Sequence, residues 1–301
     1  MITNSQNEKR PASVQAERDD VNLGGNPTSQ SDIIPANDNL QGMEVSNPQS
    51  LVPEFKIFKM GEAELPPKAE PFIEDLLYPG QISLLYGASG IGKSAVAVDM
   101  LVRASLGLTF AGKQTKPVDV LWIPTENPQE FQHRLDGCIR THQSLSKGDE
   151  SHWFTLAQLS LVDKETQSKM IILAQHLREN ANLRQQVIVI DTVAQGMPGI
   201  DENASAGMTQ LIYNIRFLLS MVPNAHCLLV HHSGKHKERG ARGHSSLTAA
   251  ADTEIAMFGT QLHVVNQRSG PKDIKIKFKL LGRDYTDENG EVLSTVGVEY
   301  P

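Results

Sequence analysis

Gly87, Ala88, Ser89, Gly90, Ile91, Gly92, Lys93 and Ser94 fill every fixed position of the pattern GxxxxGK[ST], between a short apolar run and an amphipathic helical one. Each residue type serves one chemistry. Glycines let backbone N–H groups converge on phosphate oxygens, and the helix start adds positive partial charge. Lys93 reaches the terminal phosphates and the Ser94 hydroxyl is suited to Mg²⁺. The ligand implied is a nucleoside triphosphate, read here as ATP with Mg²⁺. Such a site needs a carboxylate at the tip of a nearby strand for the metal, and Asp191, ending QVIVID, supplies it. Hydrolysis further needs a group that positions or deprotonates water. Many ATPases of this kind place that acid directly after the metal aspartate, but Thr192 stands there. Glu126, at the end of VLWIPT and followed by Asn127 and Pro128, is the alternative; the other reading of Glu126 is an acid favoured by a helix N-terminus.

These groups must be held by strands and helices in alternation. QISLLY (81–86), VDVLWIPT (118–125), HWFTL, QVIVID (186–191) and AHCLLVHH (225–232) read as strands, and 93–107, 128–144, 164–180 and 208–222 carry helical periodicity. EIAMF, LHVVNQ and DIKIKFKLL then read as strands joined by short turns. The expected fold is α/β: a mainly parallel sheet flanked by helices, with antiparallel strands at the C-terminal side. Lys275, Lys277 and Lys279 alternate with Ile274, Ile276 and Phe278, placing the lysines on one solvated face that discourages edge pairing.

The 301-residue chain, 39% hydrophobic, supports one main domain. Residues 1–53, rich in Asn, Gln, Ser, Asp and Pro, read as a disordered tail; 54–285 read as the domain with its lead-in, and 286–301 as a C-terminal tail. Leu76, Leu77 and Tyr78 in the lead-in are candidates to cover a sheet edge or bind a neighbouring subunit. Cys138 and Cys227 sit far apart in apolar contexts and read as reduced buried thiols, which points to the cytoplasm. No signal peptide or membrane-spanning run is expected. A net charge of −7 excludes a broadly basic surface, so contact with nucleic acid would be local.

LLYGASGIGKS, the TENP around Glu126, VIVIDTVAQGMPGIDEN and LLVHHSGKHKERGARGHSSLTAAADTE together resemble the RecA-like ATPases, and more closely the RepA-type branch of hexameric plasmid and phage helicases. The resemblance covers about residues 70–285. It implies that Glu126 is the catalytic glutamate, with Lys93 in the catalytic set, and that Asp191 completes the metal site with Ser94. It also implies that His231 or His232 senses the γ-phosphate and that Arg242 reaches the neighbouring subunit's nucleotide. Arg239 and Lys235 lie in the same loop and could do the same electrostatic work. A guanidinium donated across an interface would make hydrolysis conditional on assembly. Histidines of this region lack paired ligand spacing and are not read as a metal site.

By the same resemblance the loops after Asp191 and after His232 would line a pore and grip single-stranded DNA. Neither loop carries an aromatic residue for base stacking, so the grip would be on phosphates and sensitive to salt. Asp201 and Glu202 in the first loop oppose it. The expected function is a DNA-dependent ATP-hydrolysing translocase or helicase, with single-stranded DNA and a homo-hexamer as partners. The alternatives are an ATP-gated DNA-binding or recombination-mediator protein without helicase activity, and a regulatory ATPase acting on proteins.

Overall fold

A computed structural model describes residues 61, 69–141, 153–155, 159–180, 185–234, 241, 245–286 and 289–301. The expected N-terminal tail and most of the lead-in lie outside the described residues.

Strands β1 (Ile82–Gly87), β2 (Val118–Pro124), β3 (Trp153–Thr155), β4 (Gln185–Asp191), β5 (His226–His232), β6 (Thr253–Phe258), β7 (Gln261–Gln267) and β8 (Lys275–Lys277) form one sheet in the order β3-β2-β4-β5-β1-β6-β7-β8. Pairing is parallel from β3 through β6 and antiparallel at β6–β7 and β7–β8. This is the mainly parallel sheet, flanked by helices and extended by antiparallel strands, expected from the alternation of elements, and it agrees with the RecA-like fold that the resemblance implies. β1 and β2 are buried along their whole length, as strands covered on both faces must be.

Alternation within those continuous apolar runs divides the interior in two. Leu85, Val120, Trp122, Val187, Val189, Leu228 and Val230 face helices α1 (Lys93–Ser105) and α2 (Pro128–Thr141). Leu84, Tyr86, Leu121, Ile123, Ile188, Ile190 and Leu229 face α3 (Thr166–Asn180), α4 (Ser205–Met221) and the short α5 (Ser246–Ala250). Trp122 stacks on Phe131 of α2 with ring centroids 4.6 Å apart, which fixes the helix that follows Glu126 against the sheet. Leu76, Leu77 and Tyr78 are buried, and Leu76 and Leu77 join the α1/α2 core. Cys138 and Cys227 are buried thiols that form no disulfide, and burial raises both above the ordinary thiol range.

Two expectations need correction at the C-terminal side. DIKIKFKLL is not one strand: β8 ends at Lys277, and the chain leaves the sheet through buried Phe278 to start β9 (Lys279–Thr286). Residues 286–301 are not a tail. Val292–Glu299 form β10, paired antiparallel with β9 as a separate two-stranded ribbon that packs on α1 and α2. The strand was missed because its inward positions include Thr295 and Gly297, whose packing value depends on what lies beneath them. Lys275 and Lys277 are exposed on edge strand β8 while Ile276 is buried, as the alternation requires. Among the described residues, no helix is long and apolar enough to cross a membrane.

Candidate nucleotide-binding site

Parallel register carries the candidate groups to one edge of the sheet. Gly87 pairs with His232, Asp191 with Val230, and Pro124 with Asp191. The C-terminal ends of β2, β4, β5 and β1 therefore present Glu126, Asp191, His232 and the phosphate loop side by side, although the sequence separates the first and last of these strands from β4 and β5 by whole helices.

The loop has the backbone its glycines permit. Gly90 and Gly92 take φ of 72° and 95°, a region costly for residues with a β-carbon, and Gly92 is the N-cap of α1. The Lys93 ammonium, 5% exposed, donates to the Ala88 carbonyl at 2.8 Å and the Gly87 carbonyl at 3.2 Å. Burial lowers its pKa, and the carboxylates of Asp191 and Glu126 oppose that shift. His232 Nδ1 lies 3.3 Å from Lys93 Nζ. An ammonium can only donate, so Nδ1 is the acceptor and the neutral ring carries its proton on Nε2. That nitrogen faces Glu126 Oε1 at 4.0 Å.

Asp191 is buried, and desolvation pushes its pKa up to about 6 against a hydrogen bond with Ser94 and the charges of Arg134 and Lys93. A hydroxyl and a carboxylate already hydrogen-bonded at the mouth of a phosphate loop suit Mg²⁺. Among the described residues no group of three or more His, Cys, Asp or Glu could hold a metal alone. Ser94 and Asp191 would thus share the ion with phosphate oxygens, the usual manner for this cation.

Glu126 is held by a tie between β2 and β4 beyond their paired ends. Thr125 N–H donates to the Asp191 carbonyl at 2.8 Å, and its hydroxyl donates to the Thr192 carbonyl at 2.7 Å. The Thr192 hydroxyl then donates to Glu126 Oε1 at 3.0 Å. The residue in the place of the usual acid thus orients the acid supplied by the neighbouring strand. Glu126 remains half exposed, open to water.

Sequence reasoning passed over Thr192 in this role, and it passed over Arg134. With Ser94, Glu126, Glu130, Phe131 and Asp191, Arg134 lines a cleft of about 100 Å³, and its guanidinium donates to Glu130 at 2.8 Å. The available signal was position. A helix capped by Asn127, which accepts from Glu130 N–H at 3.2 Å, begins directly after Glu126 and turns residues at i, i+3 and i+4 spacing toward one cleft.

His231 points away from the nucleotide side. It is fully buried, with Nε2 4.0 Å from Oε2 of Glu202 in the loop that follows β4. Glu202, expected to oppose a phosphate backbone, is instead largely turned inward. Arg242, Arg239 and Lys235 lie outside the described residues.

Comparison with known proteins adds the following. Residues 51–238 match the family model described as AAA domain. No curated protein matches the chain. An ATPase domain of solved structure aligns at 14% identity with a TM-score of 0.49, over 67% of this chain and 82% of that one. The family match spans more than half of the chain and contains the phosphate loop, Glu126, Asp191 and His232, so the protein belongs to the AAA domain family and is a RecA-like P-loop ATPase.

Proposed function

We propose that this ATPase is a motor on single-stranded DNA, assembled as a ring, taken as a hexamer, and serving plasmid or phage replication in the cytoplasm. The observation that carries the reading is the split between adjacent histidines on β5. His232 faces Lys93 and Glu126, while His231 faces Glu202 in the loop after β4.

In this mechanism Glu126, oriented by Thr192, takes the proton of the attacking water, and Lys93 leaves its loop carbonyls for the terminal phosphate. Magnesium, when bound by Ser94 and Asp191, neutralises phosphate charge. His232 registers whether the terminal phosphate is present and His231 shares its backbone, so movement at one is felt at Glu202. The loops at 194–205 and 233–244 grip the DNA phosphates. Arg242, or Arg239 beside it, stabilises charge on the neighbour's transferring phosphoryl group.

The test is ATP turnover with and without single-stranded DNA, native mass with nucleotide present, and strand separation on a forked duplex. A six-fold particle with stimulated turnover and unwinding supports the motor. Nucleotide-dependent DNA binding with no unwinding and no translocation assigns the mediator alternative, and no DNA binding at low salt removes both.

A further inference from the structure

The phosphate loop is open in front and packed from behind. Nothing lies within 4 Å of a β-carbon built on Gly90, whereas one built on Gly92 would sit 2.5 Å from Leu280 Cδ1. Leu280 belongs to β9, in the ribbon outside the main sheet. It therefore fills the space behind the residue whose φ of 95° starts the nucleotide-binding helix.

The ribbon carrying Leu280 is fastened to both helices of the site. At one end Leu280 pairs across strands with buried Val298. Just beyond it the Tyr300 hydroxyl donates to Asp99 of α1 at 2.9 Å, with the Arg103 guanidinium 5.3 Å from the ring centroid. At the other end the Tyr285 hydroxyl donates to the His133 carbonyl of α2 at 3.2 Å. Tyr285 and Thr295 fill the space left by Gly137, each 2.7 Å from a β-carbon built there. The ribbon thus spans from the helix that opens with Lys93 and Ser94 to the helix that carries Arg134.

We propose that Leu280 is a positioning residue for the phosphate loop, and that the β9–β10 ribbon sets the fraction of molecules whose loop is ready for nucleotide. Without the isobutyl group behind Gly92, the loop gains conformations in which its N–H groups no longer converge. Apparent affinity then falls in proportion to the competent fraction, while the chemistry of bound molecules is unchanged. The inference needs only the ATPase and holds whether or not the protein moves on DNA.

The test uses the full chain with Leu280→Ala, Leu280→Met as the conservative variant, and Val292→Ala as a control at the exposed far end of the ribbon. Steady-state turnover gives KM and kcat, and hydrogen exchange reports the amides of residues 87–94. Leu280→Ala is expected to raise KM for ATP about fivefold with kcat within about twofold, as a loss of competent fraction requires. Exchange in the loop should quicken without nucleotide and recover at saturation. Leu280→Met should restore KM, and Val292→Ala should leave it unchanged. Unaltered KM and loop exchange alongside a lowered melting temperature would overturn the proposal, as would a fall in kcat alone. Should Leu280→Ala fail to fold, Tyr285→Phe removes the hydroxyl and with it the tie to α2; a smaller rise in KM supports the proposal and an unchanged KM overturns it.

Discussion

The two faces of the sheet are covered in different ways. Over α1 and α2 lies a further layer, the β9–β10 ribbon, so those helices are held on both sides. Over α3, α4 and α5 no described strand is laid, and the loop from Asp191 to α4 runs along that face with Ile200 exposed. The difference separates two tasks. The two proposed roles divide along the same line, with the ribbon bracing the phosphate loop on the doubly packed side and the nucleotide-responsive loop on the singly packed one.

Breaking the site itself has the largest expected effect. Lys93→Ala removes the charge proposed to meet the terminal phosphate, and turnover should fall by about a thousandfold or more; a coupled phosphate-release assay measures it. Glu126→Gln lies where the two sides meet. It should keep nucleotide affinity within a few-fold while kcat drops about 10²- to 10⁴-fold, the usual worth of a general base. Titration calorimetry beside turnover distinguishes this from a structural loss.

A pH dependence tests the braced side. His226 is fully buried and donates through Nδ1 to the Tyr78 carbonyl at 2.7 Å, and desolvation lowers its pKa from the ordinary 6.5 to about 4. The unfolded chain therefore binds a proton that the native state refuses. Its neutral-ring contribution is fully present above pH 6.5 and is lost as pH falls toward 4, up to about 3 kcal/mol. Urea midpoints between pH 7 and 4.5 should fall accordingly, and His226→Asn should flatten the slope.

The smallest effects sharpen the contrast between faces. Gly137→Ala gains about 1 kcal/mol of helix propensity but drives a methyl into Tyr285, which is buried and tied to α2. A net loss of about 1–2 kcal/mol is expected. Gly207→Ala, on the other face, meets the side chain of Ile200, which is 42% exposed and free to swing outward. That variant should stay within about 0.5 kcal/mol of the parent. Thermal melts of the pair decide whether the faces differ in rigidity.

Residues 87–94 were legible because a phosphate loop is local: its glycines, lysine, serine and helix start are contiguous, and their roles follow from residue type. Asp191 and Glu126 were legible as strand-end acids for the same reason. Their neighbourhood was not. That Thr192 orients Glu126 and that His232 rather than His231 faces Lys93 follow from the order β2-β4-β5-β1, in which β1 and β2, consecutive in the chain, are separated by β4 and β5.

The sequence by itself determined the elements up to β7, the phosphate loop and the acids at the strand tips, because periodicity and glycine placement act over a few residues. Only the tertiary structure decided which histidine meets the lysine, that residues 292–299 are a strand, and that Leu280 backs Gly92 from the far end of the domain's sequence. Those outcomes rest on strand register and on packing between distant segments, and neither is encoded in any one stretch of residues.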